Sequence, residues 1–112
     1  MWQRAVDLAV RCYESTREFP REESYGLTAQ IRRCSVSIAA NIAEGYGRES
    51  AGNYIQFLKV AQGSLKEFET HALIAERVGF LKKPILNELL GLSEEIGKML
   101  RALIRSLQRS QE

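Results

Sequence analysis

The segment SVSIAANIAEGYGRES, from Ser35 to Ser50, decides the fold of this chain. It overlaps a run of ten uncharged residues, Cys34–Ala43, which is too short to cross a bilayer because a spanning helix needs about 20 predominantly apolar residues. Most side chains in the run are small, so the backbones of other helices can approach it from more than one direction. A helix that is apolar all round is expected to be buried all round. The segment therefore predicts a helix enclosed by its own chain on one side and by a second copy, in a homo-oligomer, on the other.

The length and composition indicate one globular domain over residues 1–112. Apolar residues make up 45% of the chain and charged residues 27%, which is ordinary for a soluble protein. The N-terminus carries no cleavable leader pattern, so a cytoplasmic location is expected, without a membrane partner. Cys12 and Cys34 fall on apolar helical stripes and are interpreted as small hydrophobic residues. The formal net charge of +2 neither requires nor excludes a nucleic-acid partner.

Apolar periodicity predicts four helices separated by short breaks. Pro20 and the polar residues that follow it separate the first two helices, and Gly45 and Gly47 are expected to end the second. Ser50 is expected to cap the third helix, and Gly79 to stop it. The predicted bounds are about residues 2–17 for the first helix, from about 27 for the second, 50 to about 78 for the third, and 84 to about 108 for the fourth.

The third and fourth helices carry long apolar stripes. On the third helix the stripe follows a heptad spacing and comprises Tyr54, Leu58, Ala61, Leu65, Phe68, Ala72 and Ala75. On the fourth helix the inner stripe comprises Ile85, Leu89, Leu92, Ile96, Met99, Leu103 and Leu107, and it is widened by Leu86, Leu90, Leu100 and Ile104. Four amphipathic helices with short connections predict an all-α fold, an elongated, antiparallel, up-down four-helix bundle.

The inventory of candidate ligands and nucleophiles argues against a metal centre or an enzyme. A carboxylate-bridged di-iron bundle uses two Glu-x-x-His pairs, whereas this chain has one histidine, His71, and Phe68 stands three residues before it. Glu67 and His71 are four residues apart and are expected to pair on the helix surface. Neither Cys12 nor Cys34 has a base nearby in the sequence, and the GYG segment lacks the strand that precedes a phosphate-binding loop. The sequence therefore predicts no catalytic residue, no metal ligand and no cofactor.

Two polar features border the second helix. Asn41 lies beside the apolar stripe, where an amide must find hydrogen-bond partners or cost about 1–3 kcal/mol. It is interpreted as a residue that sets the register between packed helices. Glu44 and Arg48 are four residues apart, so a local ion pair is expected there.

A basic strip on the fourth helix is the remaining feature, formed by Lys98, Arg101, Arg105 and Arg109. In one interpretation these cations complement the helix dipole near the C-terminus, and Lys98 pairs with Glu94. In the other, an oligomer combines the strip with Arg32 and Arg33 into a continuous positive surface that attracts phosphate backbones. No base-reading motif accompanies the strip, so such binding is expected to be mostly electrostatic.

Two long segments carry a resemblance to a known family. They are LTAQIRRCSVSIAANIAEGYGRES, Leu27–Ser50, and YIQFLKVAQGSLKEFETHALIAERVGFL, Tyr54–Leu81. They resemble the four-helix-bundle family named for the 23S ribosomal RNA intervening-sequence proteins, which includes the accessory variability protein of diversity-generating retroelements. NIAEGYGR, Asn41–Arg48, is the most specific part of the match.

The resemblance implies a four-helix protomer that assembles into a ring-like homopentamer with no known enzymatic activity. For the retroelement member it implies a basic barrel that binds nucleic acid and engages a reverse transcriptase. The family's motif positions are carried over as packing and assembly positions rather than catalytic ones, and they are Asn41, Glu44, Gly45, Arg48, Gly63, Ser64, Glu67, Glu69 and Thr70.

Two hypotheses about function follow from these observations. The first is a non-enzymatic homo-oligomer whose basic surface binds RNA or DNA, as an accessory to a larger complex such as one containing a reverse transcriptase. The second is a protein-interaction scaffold in which the arginines only keep the surface soluble. An enzyme with an unrecognised site is a third and weaker alternative.

Overall fold

The computed structural model describes residues 1–111, and their regular structure is entirely helical, without a strand in that range. The all-α prediction is therefore confirmed. The elements are α1, Trp2–Ser15; a single 3₁₀ turn, Arg21–Glu23; α2, Leu27–Tyr46; α3, Ala51–Arg77; and α4, Lys83–Ser110.

Local chemistry explains most of the helix ends. The Ser50 hydroxyl accepts a hydrogen bond from the Asn53 amide at 3.1 Å and caps α3 as predicted. Pro84 lies in the first turn of α4, where a missing amide hydrogen costs nothing. Gly79 lies two residues after the end of α3 and has a φ of +88°, a left-handed conformation that suits glycine and stops the helix. Of the two glycines predicted to end α2, Gly47 is its C-terminal cap, whereas Gly45 lies buried inside the helix, which continues to Tyr46.

The four helices form a bundle in which each helix contacts two others. Contacts join α1 to α2, α2 to α3, α3 to α4 and α1 to α4. As residue numbers rise along α1, those of its partners on α4 fall: Arg4 pairs with Glu95 and Arg11 with Glu88. The molecule measures 49 × 24 × 19 Å, so it is elongated as predicted.

The core runs along the centre of the bundle. The α3 stripe is buried as predicted except that Tyr54 is half-buried and Ile55 joins the core. On α4 only Leu89 and Ile96 of the seven inner-stripe residues are buried, and the other five are half-buried. Of the four residues expected to widen the stripe, all but Leu90 are buried. The buried residues of α4 are Leu86, Leu89, Ser93, Ile96, Gly97, Leu100 and Ile104.

A single chain covers only one side of α2. Ile31, Ile38 and Ile42 face the core and are almost fully buried. The opposite side remains open, with Val36 44% exposed and Ala40 also exposed. The predicted burial of α2 on all sides is therefore not achieved by one chain, since among residues 1–111 only α1, α3 and the short 3₁₀ turn contact this helix.

Candidate nucleic-acid interface and adjoining surfaces

The basic strip on α4 is exposed along its whole length. Lys98, Arg101, Arg105 and Arg109 all lie on the solvent side of the helix. Lys98 Nζ lies 3.7 Å from Glu94 Oε1, so the predicted local ion pair is confirmed. Arg101 and Arg105 form no ion pair with any carboxylate of residues 1–111. Their charges are therefore available to an external anion.

A groove between α3 and α4 adds cations that the sequence did not single out. Lys59 and Lys66 of α3 line it together with Arg101 of α4, around a space of about 380 Å³. Gly63 and Gly97 also line this α3–α4 groove. A Cβ on Gly97 would lie 3.2 Å from Arg101 Nη1, so the missing side chain lets the guanidinium lie along its own helix. Lys66 also pairs with Glu69 at 3.2 Å.

Arg32 and Arg33 do not extend the strip within one chain. Both belong to α2, which makes no contact with α4 in the described part of the chain. The Arg32 Nε donates a hydrogen bond to Thr16 Oγ1 at 2.8 Å, and its guanidinium lies 4.7 Å from the centre of the Tyr13 ring. Arg32 therefore joins α2 to α1, and Arg33 is exposed.

The polar residues between α2 and α3 satisfy one another. Asn41 Nδ2 donates to the Ser37 carbonyl at 2.8 Å and approaches the Ser37 hydroxyl at 3.0 Å. The Ser37 hydroxyl in turn shares a 2.9 Å hydrogen bond with the Ser64 hydroxyl of α3. Two of the family motif positions, Asn41 and Ser64, thus belong to one hydrogen-bonded chain that crosses between the helices.

The ion pair predicted between Glu44 and Arg48, at the end of α2, does not form. Arg48 lies two residues beyond the helix, so the four-residue spacing that brings side chains together on a helix does not apply to it. Its guanidinium lies over the Phe57 ring at 4.8 Å, whereas Glu44 is exposed and forms no ion pair with residues 1–111. Gly45 packs against the same part of α3, where an added Cβ would come within 2.8 Å of the Phe57 Cβ.

Glu69 connects α3 to α4. Its carboxylate accepts a short hydrogen bond from the hydroxyl of Ser93, a fully buried residue of α4. Thr70 bonds within its own helix, donating to the Lys66 carbonyl at 2.9 Å. The motif positions Gly45, Ser64 and Glu69 therefore lie where α3 meets its two neighbours.

Three potential metal ligands meet on the outer side of the α2–α3 contact. Glu67 Oε2 lies 3.3 Å from His71 Nε2, which confirms the predicted pairing. The Cys34 sulfur joins them, so that all three ligand atoms lie within 4.8 Å of one another. The sequence predicted no metal ligand because Cys34 is remote from the other two along the chain.

Burial governs the thiol chemistry of both cysteines. Burial, and then the negative charge of Glu67, raise the pKa of Cys34 to about 12. Burial likewise raises the pKa of Cys12. Both thiols are therefore protonated at neutral pH, when no metal is bound, and neither is activated as a nucleophile.

An apolar face lies between α1 and α2, on the side of α2 that the chain leaves open. We call this surface the α1–α2 face; it is an open groove of about 330 Å³ lined by Trp2, Val6, Ala9, Val10, Val36, Ala39, Ala40 and Ala43. Trp2 and Val10 are about half exposed, at 48% and 54%. Exposed apolar surfaces of this kind are typical of protein–protein contacts.

Within residues 1–111, every helix falls short of the length and apolar character that crossing a bilayer requires. In overall fold the chain is similar to a solved protein of unknown function from Bacteroides thetaiotaomicron VPI-5482, described as a member of the S23 ribosomal protein family. The TM-score is 0.85 and the sequence identity is 24%, over 92% of this chain and 96% of that one. No curated protein matches the chain. The model of the family described as 23S rRNA-intervening sequence protein matches residues 1–102. This protein therefore belongs to the 23S rRNA-intervening sequence protein family.

Proposed function

We propose that this protein is a non-enzymatic, homo-oligomeric helical bundle that binds RNA or DNA electrostatically. In this proposal it acts as an accessory to a nucleic-acid-processing complex such as one built around a reverse transcriptase. The observation that carries the proposal is the cationic α3–α4 groove, in which Lys59 and Lys66 face Arg101. Arg105 and Arg109 continue the positive surface along α4.

The distribution of charge supports this proposal better than the net charge does. Several acidic groups are paired elsewhere on the surface, including Glu95 with Arg4 and Glu88 with Arg11. Arg101 and Arg105 have no such partner within the described residues. A local excess of cations attracts a phosphate backbone even when the whole chain is nearly neutral.

The proposed assembly uses the α1–α2 face. In this proposal the protomer is an antiparallel up-down bundle, supported by the opposite residue order of the two ion pairs between α1 and α4. A second copy would cover Val36, Ala40 and Ala43, which one chain leaves exposed. A ring of such protomers, a homopentamer in the family picture, would repeat the basic groove around the assembly and increase its avidity for a long polyanion.

Binding to generic single-stranded and duplex RNA and DNA, measured against salt concentration, tests the proposal. Affinity is expected to fall steeply with salt, with a slope of log K against log salt of about −0.7 to −0.9 per phosphate contacted. The triple variant Arg101→Gln, Arg105→Gln, Arg109→Gln should lower both the affinity and the slope while leaving the assembly intact.

A matched control separates local from general charge effects. The variant Arg17→Gln, Arg21→Gln, Arg77→Gln removes the same number of charges from exposed positions just after α1, in the 3₁₀ turn and at the end of α3. It should bind nearly as well as the wild type. Equal losses in both triple variants, or no binding by the wild type at low salt, would contradict the proposed interface.

The α1–α2 face favours a second candidate function, that of a protein-interaction scaffold without a nucleic-acid role. In that case the strip arginines only solubilise the surface. Their triple replacement would then leave partner binding unchanged, whereas charged substitutions on the α1–α2 face would abolish it.

A further inference from the structure

We propose that Cys34, Glu67 and His71 form a Zn²⁺ site that joins α2 to α3. Glu67 and His71 are one helical turn apart on α3, and Cys34 reaches them from α2. Sulfur, imidazole nitrogen and carboxylate oxygen are the three kinds of ligand that zinc takes in proteins. A hard cation such as Mg²⁺ or Ca²⁺ would favour oxygen ligands alone, so this mixed set selects a borderline-soft ion.

The spacing of the ligand atoms is close to that of a tetrahedral site. With Zn–N and Zn–O bonds of about 2.0–2.2 Å, nitrogen and oxygen ligands lie about 3.4 Å apart. His71 Nε2 and Glu67 Oε2 are 3.3 Å apart, so this edge of the tetrahedron already exists. With a Zn–S bond of about 2.3 Å, the sulfur should lie about 3.6 Å from both. The Cys34 sulfur is within 4.8 Å of each, so modest side-chain rotations complete the triangle.

The surroundings allow an ion to enter and to be held. The Glu67 side chain is 55% exposed, which opens the site to solvent, whereas that of His71 is only 15% exposed. Cys34 is buried beneath them. An ion bound by these three groups would keep its fourth position for water, because the open side faces solvent.

Loading the site is a proton exchange. The Cys34 thiol donates a hydrogen bond to the Ile31 carbonyl at 3.3 Å. When the sulfur–zinc bond forms, the S–H bond breaks and its proton passes to solvent, so one proton is released for each ion bound. No change of oxidation state is involved, since zinc carries no redox chemistry in proteins.

Titration of the protein with Co²⁺ tests the site, because this ion can take the place of zinc and reports thiolate ligation through a sulfur-to-metal charge-transfer band. One ion should bind per chain with that band present, and Zn²⁺ should displace it. Cys34→Ser should remove the band. Glu67→Gln changes an exposed carboxylate, and His71→Gln keeps a polar side chain of similar size at a partly buried position. Each should weaken Zn²⁺ binding at least tenfold in a chelator competition.

Cys12→Ala is the matched control, because it removes the other buried thiol and keeps Cys34. Its band and affinity should equal those of the wild type. Zinc should also raise the unfolding temperature of the wild type and of Cys12→Ala but not that of His71→Gln. The proposal is overturned if no charge-transfer band appears, if the band survives in Cys34→Ser, or if His71→Gln binds zinc as tightly as the wild type.

Discussion

At Gly45 two helices approach so closely that no side chain fits between them. An added Cβ would meet the Phe57 Cβ at 2.8 Å and Tyr54 Cδ1 at 3.0 Å. In the sequence this glycine resembles a helix terminator, because the tight contact with α3 depends on residues nine and twelve positions later. The glycine is needed for packing between helices rather than for a turn.

Gly45→Ala is therefore expected to destabilise the protein by about 1–3 kcal/mol, the usual cost of overfilling a packed contact. Gly91→Ala is the control, since Gly91 lies inside α4 and has no atom within 4 Å of a built Cβ. That change should stabilise the protein by about 0.5–1 kcal/mol, because alanine favours a helix. Urea unfolding of both variants measures the difference, and an unchanged midpoint for Gly45→Ala would contradict the packing role.

The Arg11–Glu88 pair predicts a pH effect on stability. Arg11 Nε and Nη2 reach the two carboxylate oxygens of Glu88 at 2.5 and 3.0 Å, and this hydrogen bonding lowers the pKa of Glu88 from its ordinary value of 4.5. Because the pKa of Glu88 is lower in the folded protein, the ion pair stabilises the fold at pH values above the ordinary pKa of a glutamate. This contribution is lost as the pH falls through the lowered pKa of the folded state. Because both groups are substantially exposed, the effect should stay below about 1 kcal/mol.

Glu88→Gln should therefore be less stable than the wild type at neutral pH, and the two should converge in acid. Glu18→Gln is the control, because Glu18 is exposed and forms no ion pair among residues 1–111. Denaturant unfolding of the wild type and both variants, from neutral pH to acid pH, provides the measurement. A stability difference between Glu88→Gln and the wild type that is the same at every pH would show that the ion pair does not contribute.

At the scale of the helix, α3 was the most predictable element. Its heptad stripe faces the core because α3 contacts both α2 and α4, and every turn places an apolar residue inward. The α4 stripe was less predictable, since leucines continue around the helix and only tertiary packing decides which of them face the centre. Ile85 and Leu86 were both predicted on the apolar side, for example, but only Leu86 is buried and Ile85 is half-buried.

The start of α3 depends on its cap. The turn between α2 and α3 spans residues 47–50, so Ser50 must begin the next helix at once. Ser50→Ala should cost about 1 kcal/mol, because the Asn53 amide loses its acceptor. Ser50→Asp should retain most of the stability, since a carboxylate also accepts this bond. Hydrogen exchange of the Asn53 amide checks the mechanism: faster exchange is expected in Ser50→Ala, and equal exchange in both variants would exclude a capping role.

At the scale of the whole molecule, the sequence predicted the strip on α4 but not the groove beside it. Residues on one helix share a face by spacing alone, which is why Arg101 and Arg105 could be grouped. The contribution of Lys59 and Lys66 depends on how α3 is rotated about its axis relative to α4. The spacing of residues along the sequence does not reveal that rotation. The same limit hid the approach of Cys34 to His71, whose positions along the chain are far apart.

The exposed α1–α2 face leads to a prediction about assembly. Ala40 is exposed in one chain, so Ala40→Glu should leave the protomer folded, with an unchanged far-ultraviolet dichroism spectrum. In an assembly that buries this face, the same change places an unpaired charge in an apolar contact and adds volume where backbones meet. The variant should therefore sediment as a smaller species than the wild type at equal concentration.

Ala102→Glu is the control for this prediction, because it makes the same chemical change at an exposed position of α4. It should sediment as the wild type does. A wild-type protein that sediments as a monomer would refute the assembly outright, and a variant Ala40→Glu that retains the wild-type mass would show that another surface holds the copies together. Among residues 1–111 the contacts of α2 are with α1, α3 and the 3₁₀ turn, and they leave Val36, Ala40 and Ala43 exposed. If a second copy packs there, Ala40→Glu must break the assembly without unfolding the protomer.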